Sequence, residues 1–514
     1  MKKSIFVLGR DDDRANLRLL AIIVAAAIFS KGVVLFRGFS IDDYSLGNGV
    51  DDKALSLFFS QGRYLMALIF GGLESLGVNA GDLFFPLGLL VLVLQSAFVV
   101  SVFRFVGVER LPAAGLVGAL VVAHPYLAEI LTFRLVLPSY CAALIFSIVA
   151  LEALVRHPST WRGRSVALLA TLAMVFTYQV FLNYFAIAIA FALLLAFLSE
   201  RDEGRPALFS RQIYWRVVDL IAVSLISGLL FLVATGLARY YGISGDVDRA
   251  KTISVAEFPE RARQVYSSLA NIYWTNEPVY SGWMKVLVAV VILFSIAIIL
   301  WRIVLTARIK GAQKHAILSL FILVLFIPLS LGLIVAFRTW WPVPRVVAHV
   351  SMLLGLILLS ADFCLKNFAH RGLKFAASVS RGVILVGFVF LSNQILVDQQ
   401  RLNDWDRLMA NRILSRLETL PNFNEIRYVS ISGGAWAFPK KLRTIQGDLN
   451  VSSFYPEYSK VALLSEISGY ELKNADASGV AKAEEYCKGR QTWPHADSLA
   501  IFGNLAIVCL KKVF

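Results

Sequence analysis

Charged residues are scarce in this chain. Only 17% of its 514 residues are charged, whereas 58% are hydrophobic. A water-soluble protein carries about 25% charged residues, so the composition excludes that class. Many apolar runs approach roughly 20 residues, the length at which an α-helix crosses a bilayer. The sequence therefore predicts a polytopic α-helical membrane protein.

Several motifs of soluble enzymes are also missing. The sequence has no Walker loop, dinucleotide fingerprint, HExxH or zinc-type Cys/His cluster. No predicted cytoplasmic segment is large enough to bind a nucleotide sugar. The formal net charge is +15, but the basic residues fall in short loops, where they set membrane topology and meet anionic lipid headgroups. This pattern favours membrane lipids over nucleic acid as partners.

The basic N-terminus precedes an apolar stretch that is too long for the core of a signal peptide. We interpret this stretch as a retained first span with a cytoplasmic N-terminus. The apolar runs predict about eleven transmembrane helices, at 17–37, 82–104, 111–125, 138–154, 165–180, 182–199, 217–240, 284–305, 316–337, 346–364 and 382–397. Every loop that this topology places in the cytoplasm is basic, as the positive-inside rule requires. The odd number of spans places the C-terminal segment outside.

Two domains follow from this topology. Residues 1–397 form the membrane domain, in which the outer loops 38–81 and 241–283 carry interfacial helices. Residues 398–514 form an outward-facing α+β domain. Its apolar stripe predicts a helix from Asp398 to Leu420, and Ile426–Ile431 reads as a strand. A hairpin is predicted about Gly503 and Asn504, with strands at 498–502 and 505–510.

Two adjacent carboxylates, Asp42 and Asp43, lie at the outer end of the first predicted span. Adjacent carboxylates at a membrane surface repel each other and cost desolvation, so they are seldom without a function there. A general base or a pair of metal ligands would use both of them. The alternative is a helix cap or a topology marker, since Asp is a good N-cap. We favour a function because a second carboxylate adds little to a cap.

Cations near the outer face are candidates to bind a phosphate, because a guanidinium matches phosphate geometry. Arg63 follows a predicted interfacial helix, although lipid-headgroup contact would also explain it. Arg338 and Arg345 lie in an outer loop, against the positive-inside trend. Arg134 shares a short loop with Glu129, and the two residues either pair with each other or contact sugar hydroxyls and phosphate. His124 in the same loop is better explained as a helix-end partner.

Polar and aromatic residues surround a predicted outer turn at Tyr178, Gln179 and Asn183. An amide beside aromatic rings suits a sugar, but it also suits an interfacial aromatic belt. The four cysteines divide into two groups. Cys141 and Cys364 lie in or beside spans, whereas Cys487 and Cys509 lie in the outward-facing domain. An oxidising compartment would allow the latter pair to form a disulfide, and two free thiols are the alternative.

These motifs, in this order, resemble those of the Gtr-type serotype-converting glucosyltransferases of bacterial O-antigen modification, which belong to the broader GT-C class. The resemblance spans roughly residues 1–365 and rests on four short motifs and one arginine. They are Ile41 to Tyr44 with Gly62 to Leu65, His124 to Arg134, Thr177 to Tyr184, and Arg345. Such proteins often have Trp where this chain has Tyr44, and either ring can stack on a sugar.

The resemblance implies a GT-C-like enzyme of the bacterial inner membrane with its site facing the periplasm. The implied donor is a polyprenyl-phosphate sugar, undecaprenyl-phosphate glucose, and the implied acceptor is a hydroxyl of a lipid-linked or surface glycan. Transfer would proceed with inversion, with Asp42 or Asp43 as the base and Asp42 slightly favoured. Arg345, Arg63, Arg134 and Arg338 would bind the donor phosphate. Tyr44, Tyr64, Glu129, Tyr178, Gln179 and Asn183 would contact sugar or acceptor.

No cofactor is expected, although a divalent cation at the aspartate pair stays an alternative. Two other functions also remain open. A flippase or transporter of lipid-linked sugar would carry polar residues near the middle of its spans. The predicted spans have few, which favours an enzyme. A non-catalytic scaffold of a glycan-assembly complex would tolerate the loss of both aspartates. The sequence does not indicate the oligomeric state.

Overall fold

The computed structural model describes residues 10–46, 52–199, 208–243, 251–275, 282–309, 311–366, 371–434, 442, 444 and 450–511. Long helices dominate these residues. The helices up to the tail are α1 (Arg10–Lys31), α2 (Ile41–Leu46), α3 (Asp52–Ser60), α4 (Tyr64–Ser75), α5 (Phe84–Val106), α6 (Ala114–Ala123), α7 (Tyr126–Ile130), α8 (Leu137–Arg156), α9 (Trp161–Thr177), α10 (Phe181–Ser199), α11 (Leu208–Tyr240), α12 (Phe258–Ala270), α13 (Gly282–Ala307), α14 (Gln313–Leu329), α15 (Val350–Cys364) and α16 (Arg371–Leu417).

The tail adds two helices and four strands. They are β1 (Tyr428–Ser432), α17 (Glu457–Ser468), β2 (Lys473–Asn474), α18 (Ala477–Cys487), β3 (Leu499–Phe502) and β4 (Leu505–Cys509). Short 3-10 helices occur at Gly32–Leu35, Ala80–Leu83, Val255–Glu257, Gly332–Ala336, Phe423–Glu425 and Ala496–Ser498, and a π-helix occurs at Asn271–Thr275.

Within the described ranges, seven helices are long and apolar enough to cross a membrane. They occupy Arg14–Leu35, Ala80–Val106, Leu137–Arg156, Phe181–Leu198, Gln212–Tyr240, Gly282–Ala307 and Arg371–Leu417. This agrees with the predicted helical membrane protein. Each of the eleven predicted spans overlaps a helix, but α6, α9, α14 and α15 have only 10, 17, 17 and 15 residues. The count of eleven and the orientation therefore stay predictions.

Helix α6 lies inside the bundle, between α1, α15 and α16. Two glycines allow the close approach. A Cβ on Gly118 would lie 2.4 Å from a side-chain carbon of Ile23 in α1, and a Cβ on Gly355 of α15 would lie 2.3 Å from Val121. Such small residues let helix backbones pack closely in a membrane. The C-terminal end of α6, where the predicted site residues follow, is therefore held on several sides.

The last carbonyls of α6 have partners from other helices. The Lys31 ammonium at the end of α1 donates to the carbonyl of Val122, and the Ser392 hydroxyl of α16 donates to the carbonyl of Ala123 at 2.8 Å. Terminal carbonyls of a helix need such partners because they have none within the helix. These contacts fix the point at which the chain leaves α6 and enters the short helix α7.

The predicted span 382–397 and the predicted tail helix from Asp398 to Leu420 belong to one continuous helix. Helix α16 runs without interruption from Arg371 to Leu417. The physical reason lies in the sequence, since neither glycine nor proline occurs between Gly387 and Pro421. The predicted domain boundary at 397 and 398 therefore falls inside one rigid helix, which joins the membrane bundle to the tail.

The tail is an α+β unit with a four-stranded sheet in the order β2-β1-β4-β3. Strand β1 pairs in parallel with β2 and β4, while β3 and β4 form an antiparallel hairpin. Gly503 in the two-residue turn has φ +58°, which glycine adopts readily. The hairpin lies where the sequence predicts it, and β1 is shifted by one or two residues from the prediction. The hydrophobic core joins the sheet to the C-terminal end of α16, through Leu414, Leu417, Phe454, Leu464 and Val508.

Cys487 and Cys509 form a disulfide that ties the end of α18 to β4, whereas Cys141 and Cys364 are buried and belong to no disulfide within the described residues. The bond closes a loop with a sequence separation of 22 residues. A cross-link of this size stabilises a domain mainly by restricting its unfolded chain.

Replacing both Cys487 and Cys509 by Ala is expected to lower the free energy of unfolding of the tail by about 3 kcal/mol. Limited proteolysis of the intact protein in detergent would measure this as faster cleavage within 457–509. The double variant Cys141→Ala/Cys364→Ala serves as the control for cysteine loss and should leave the tail as resistant as the wild type. Equal cleavage of the two double variants would contradict a stabilising disulfide.

Candidate functional site

Asp43 is 2% exposed and its carboxylate is occupied by backbone donors. One oxygen accepts from the N–H of Ser40 at 2.7 Å and from that of Arg134 at 3.1 Å, and the other accepts from the N–H of Leu135 at 2.8 Å. The Ser40 hydroxyl in turn accepts from the N–H of Asp43 at 3.3 Å. Asp43 therefore both caps the first turn of α2 and joins α2 to the segment between α7 and α8.

Burial raises the pKa of the Asp43 carboxyl to about 6, while its backbone donors oppose that rise. A carboxylate enclosed in this way has no room for an acceptor hydroxyl. The geometry corrects the prediction that Asp43 serves as a general base or half of a metal-ligand pair, and it favours the capping alternative for this residue.

Asp42 differs from its neighbour, because its side chain is only partly buried. One carboxylate oxygen accepts a hydrogen bond from the Tyr458 hydroxyl of α17 at 3.0 Å. Tyr458 itself is 46% exposed, so this contact lies at the protein surface. Of the two aspartates, Asp42 is thus the more accessible from solvent.

Tyr44 does not stack on a sugar as the sequence predicts. Its ring is 3% exposed and belongs to the hydrophobic core of the tail, where it also stacks on Phe39 at 5.0 Å between ring centroids. The reason is the helical turn of α2. Asp42 faces outward, whereas Asp43 and Tyr44 face the segment after α7 and the tail. Tyr44 therefore anchors the tail on the membrane domain.

Glu129 pairs with Arg345 and not with Arg134. A Glu129 oxygen lies 2.6 Å from Nη1 of Arg345, and the other accepts from the backbone N–H of Arg345. The Arg345 guanidinium also lies over the rings of Phe133 and Trp341, at 4.5 and 4.8 Å from their centroids. The Glu129 side chain is 1% exposed and the Arg345 side chain 15%. The pair is therefore rigid, with only the arginine reaching toward solvent.

Arg134 is 1% exposed and donates to the backbone carbonyl of Val34. Its Nε and Nη2 have no hydrogen-bond partner within the described residues. The Nη2 atom lies beside Gly38, where a Cβ would come within 3.2 Å. This guanidinium is enclosed, so the structure does not present it to a donor phosphate as predicted. Burial lowers the pKa of the Arg134 guanidinium to about 10, and the negative charge of the nearby Asp43 opposes that fall.

Arg63 immediately precedes α4 and lies over the Tyr178 ring, with its guanidinium carbon 5.2 Å from the centroid. The amide of Gln179 donates to the carbonyl of Gln61 at 3.3 Å, and Tyr64 packs against Phe176 at 5.4 Å between centroids. The predicted outer turn is present, because α9 ends at Thr177 and α10 begins at Phe181. Arg63, Tyr64, Tyr178 and Gln179 thus form one partly buried group.

Asn183 and Arg338 lie apart from these groups. Asn183 is 4% exposed, and its side-chain oxygen accepts from the N–H of Leu333 at 2.9 Å beside Gly332, which has φ +67°. It therefore holds the chain after α14 and does not face a sugar. Arg338 is more than half exposed and its Nε lies 3.2 Å from a carboxylate oxygen of Glu257. Among the described residues, no contact joins Arg338 to Asp42 or Asp43.

The segment 129–135 connects the remaining candidates. Glu129 holds Arg345, the N–H groups of Arg134 and Leu135 hold Asp43, and the Leu135 side chain packs with Phe58, Met66 and Phe70 of α3 and α4. The sequence prediction had grouped these residues only by their outer location. Their convergence on one short segment defines the candidate active site, with Asp42 and Arg345 at its accessible edge.

Three residues of this site have no counterpart in the sequence prediction. Gln399 and Asn403 of α16 reach the same segments, because Gln399 donates to the Thr132 carbonyl at 2.7 Å and Asn403 bonds both N–H and carbonyl of Phe39. Their spacing of four residues, which places both on one helix face, is the signal that could have found them. The third, Tyr458, follows no recognisable motif.

Histidine, cysteine and acidic side chains do not gather in threes anywhere in the described part of the chain, so no metal-binding cluster is evident there. His124 has the role expected of a helix-end partner, since its Nδ1 accepts from the N–H of Tyr126 at 3.2 Å.

Replacing Glu129 by Gln is expected to lower the free energy of unfolding by about 3 kcal/mol, because it leaves the mostly buried Arg345 without its counter-charge. Glu260→Gln is the matched control, since Glu260 pairs with Arg263 at 3.1 Å but both side chains are exposed. That change should alter stability by less than about 0.5 kcal/mol. Chemical denaturation in detergent micelles measures both values, and equal effects would show that the Glu129 pair is not a stabilising contact.

The titration of Asp43 gives a further prediction. Its folded-state pKa of about 6 lies above the ordinary aspartate value of 3.8, so the folded chain binds this proton more tightly than the unfolded chain. Between about pH 4 and pH 6, the free energy of unfolding should therefore fall as pH rises, by up to about 3 kcal/mol from this group. Asp43→Asn removes the titration and should flatten the pH profile in this window. The same pH dependence of the free energy of unfolding in the variant and the wild type would contradict the raised pKa of Asp43.

Comparison with known proteins bears on this geometry. The family model described as glucosyl transferase GtrII matches residues 33–360. No curated protein and no solved structure matches the chain. The family match covers well over half of the sequence and includes α2, the segment 129–135 and Arg345, but it ends before the tail. It confirms the resemblance drawn from the motifs, and the chain belongs to the GtrII glucosyl transferase family.

Proposed function

We propose that this protein transfers a hexose, specifically glucose, from a polyprenyl-phosphate donor to a hydroxyl of a cell-surface glycan such as O-antigen. The observation that carries the proposal is the reachable carboxylate of Asp42 close to a segment that also fixes Arg345. The family match supports glucosyl transfer as the reaction. The proposed location is the inner membrane of a bacterium, with the site facing the periplasm.

The lipid donor follows from the predicted topology. If the site faces outward, nucleotide-activated sugars do not reach it, because they are confined to the cytoplasm. A sugar on a polyprenyl phosphate is activated and lies at the membrane surface, where α2 leaves the end of α1. The positive-inside pattern of the loops supports this orientation.

The chemistry needs one base and one leaving group. Asp42 takes the proton of the acceptor hydroxyl as its oxygen forms a bond to the anomeric carbon of the sugar. The bond from that carbon to the phosphate oxygen breaks, and polyprenyl phosphate leaves with the electron pair. A single displacement of this kind inverts the anomeric configuration. No metal takes part in this scheme.

The leaving phosphate gains negative charge, which a fixed cation stabilises. Arg345 is the preferred candidate, because Glu129 and two aromatic rings hold its guanidinium while part of the side chain stays exposed. Arg63, placed over Tyr178, is the second candidate. The buried Arg134 and the distant pair of Arg338 with Glu257 are not assigned to the phosphate.

Asp42→Asn is expected to lower glucose transfer from synthetic polyprenyl-phosphate glucose by at least about 100-fold, because it removes the base. The assay uses the purified protein in proteoliposomes, and NMR of the product determines the anomeric configuration. Asp404→Asn, an exposed aspartate on α16, is the control for the loss of one negative charge. Transfer by the wild type should persist with a chelator present.

Full activity of Asp42→Asn would contradict a catalytic role for this residue. If the wild type shows no transfer but moves lipid-linked sugar between leaflets, the flippase alternative replaces the proposal. If it shows neither activity, a scaffold in glycan assembly is the remaining explanation. A retained anomeric configuration would exclude the single-displacement scheme.

A further inference from the structure

The contact between Asp42 and Tyr458 joins the proposed base to the tail. Asp42 lies on α2 and Tyr458 lies on α17, 416 positions later in the sequence. Their side chains meet through one hydrogen bond of 3.0 Å from the phenol to the carboxylate. The family match ends at residue 360, so Tyr458 belongs to a part of the chain to which that match assigns no role.

The start of α17 is fixed by buried polar contacts on both sides of Tyr458. Asp406 of α16 accepts from the Ser452 hydroxyl at 2.7 Å and from the Ser453 N–H at 2.8 Å. The Ser459 hydroxyl donates to the Ser453 carbonyl at 2.7 Å. The ammonium of Lys460, which is 1% exposed, donates to the Gly433 carbonyl at 2.7 Å. The backbone that carries Tyr458 therefore cannot shift freely.

Helix α2 is equally constrained from the other side. Asp43 holds it to the segment 129–135, and Tyr44 is embedded in the core of the tail. Arg37, shortly before α2, lies 2.8 Å from Glu466 near the end of α17. Two rigid elements thus face each other, and the Asp42 and Tyr458 side chains meet at their shared, solvent-exposed edge.

We propose that Tyr458 is a positioning residue for Asp42, so that the tail forms part of the active site. This inference rests on the proposed function. A phenol that donates to a carboxylate favours its ionised form and restricts its rotation. The bond from Tyr458 thereby fixes the orientation of the carboxylate that takes the proton of the acceptor hydroxyl. The acceptor approaches along the exposed edge between α2 and α17.

The test is Tyr458→Phe in the full-length, reconstituted protein, which removes the hydroxyl but keeps the ring. We expect kcat to fall by about 10-fold, as the loss of a hydrogen bond to a charged group would produce. The acidic limb of the kcat/KM profile should move upward by about 0.5 to 1 pH unit, because the carboxylate loses a donor. The KM for the lipid donor should not change.

Tyr470→Phe is the matched control. Tyr470 is also exposed on the tail, and its hydroxyl donates to the carboxylate of Glu418 at 3.4 Å, within the tail region and not at Asp42. This variant should keep the wild-type kcat and pH profile. A second measurement compares kcat of Asp42→Glu with that of the double variant Asp42→Glu/Tyr458→Phe. The longer side chain displaces the carboxylate from the tyrosine, so the loss of the hydroxyl should lower kcat by less than it does in the wild-type background.

The outcomes separate this inference from the proposed function. A wild-type kcat and pH profile for Tyr458→Phe, together with an inactive Asp42→Asn, would overturn the role of Tyr458 and leave the base assigned. An active Asp42→Asn would overturn both. A fall in kcat with no movement of the acidic limb, or the same fall in Tyr470→Phe, would show a general effect on the tail and would also overturn the inference.

Discussion

The structure around the site depends on the buried carboxylate of Asp43. Three backbone N–H groups, from Ser40, Arg134 and Leu135, converge on it. A charged acceptor shared by several amides makes stronger hydrogen bonds than a neutral one. Because these amides belong to segments about 90 residues apart, one side chain sets the distance between α2 and the chain after α7. Removing it would leave three buried donors unsatisfied.

Because Asp43 is held in this way, the adjacent residues Asp42 and Asp43 have different environments. A helix turns its successive residues by about 100°, so a buried Asp43 directs Asp42 away from the same environment. The carboxylate of Asp42 therefore lies at the protein surface, while that of Asp43 is enclosed by backbone donors. A similar separation occurs in the segment 129–135. Glu129 holds the guanidinium of Arg345, whereas Arg134 donates to the carbonyl of Val34. The sequence predicts that either aspartate could serve as the base. In the structure, Asp43 joins two segments of the chain, and Asp42 alone stays a candidate for the base.

The sequence predicted the class of fold because long apolar runs have few alternatives to membrane helices. It also located the hairpin at Gly503 and the break between α9 and α10, both of which depend on local residue preferences. It missed that Tyr44 and Asn183 are buried and that Glu129 pairs with Arg345. These outcomes depend on contacts between residues far apart in the chain, which local patterns do not encode. Tyr458 was missed for the same reason, since only the docking of α17 on α2 gives it a partner.

The continuity of α16 has a consequence for how the bilayer acts on the protein. From Asp398 to Leu417 the helix extends beyond its predicted span, 382–397, by about 30 Å, at 1.5 Å per residue. Membrane helices tilt when the bilayer becomes thinner than their apolar length. A tilt of about 10° would carry the outer end of such a rod sideways by about 5 Å. Because α2 and α17 are packed together, such a displacement would strain the contact between Asp42 and Tyr458. A change in bilayer thickness would therefore act on this contact through α16.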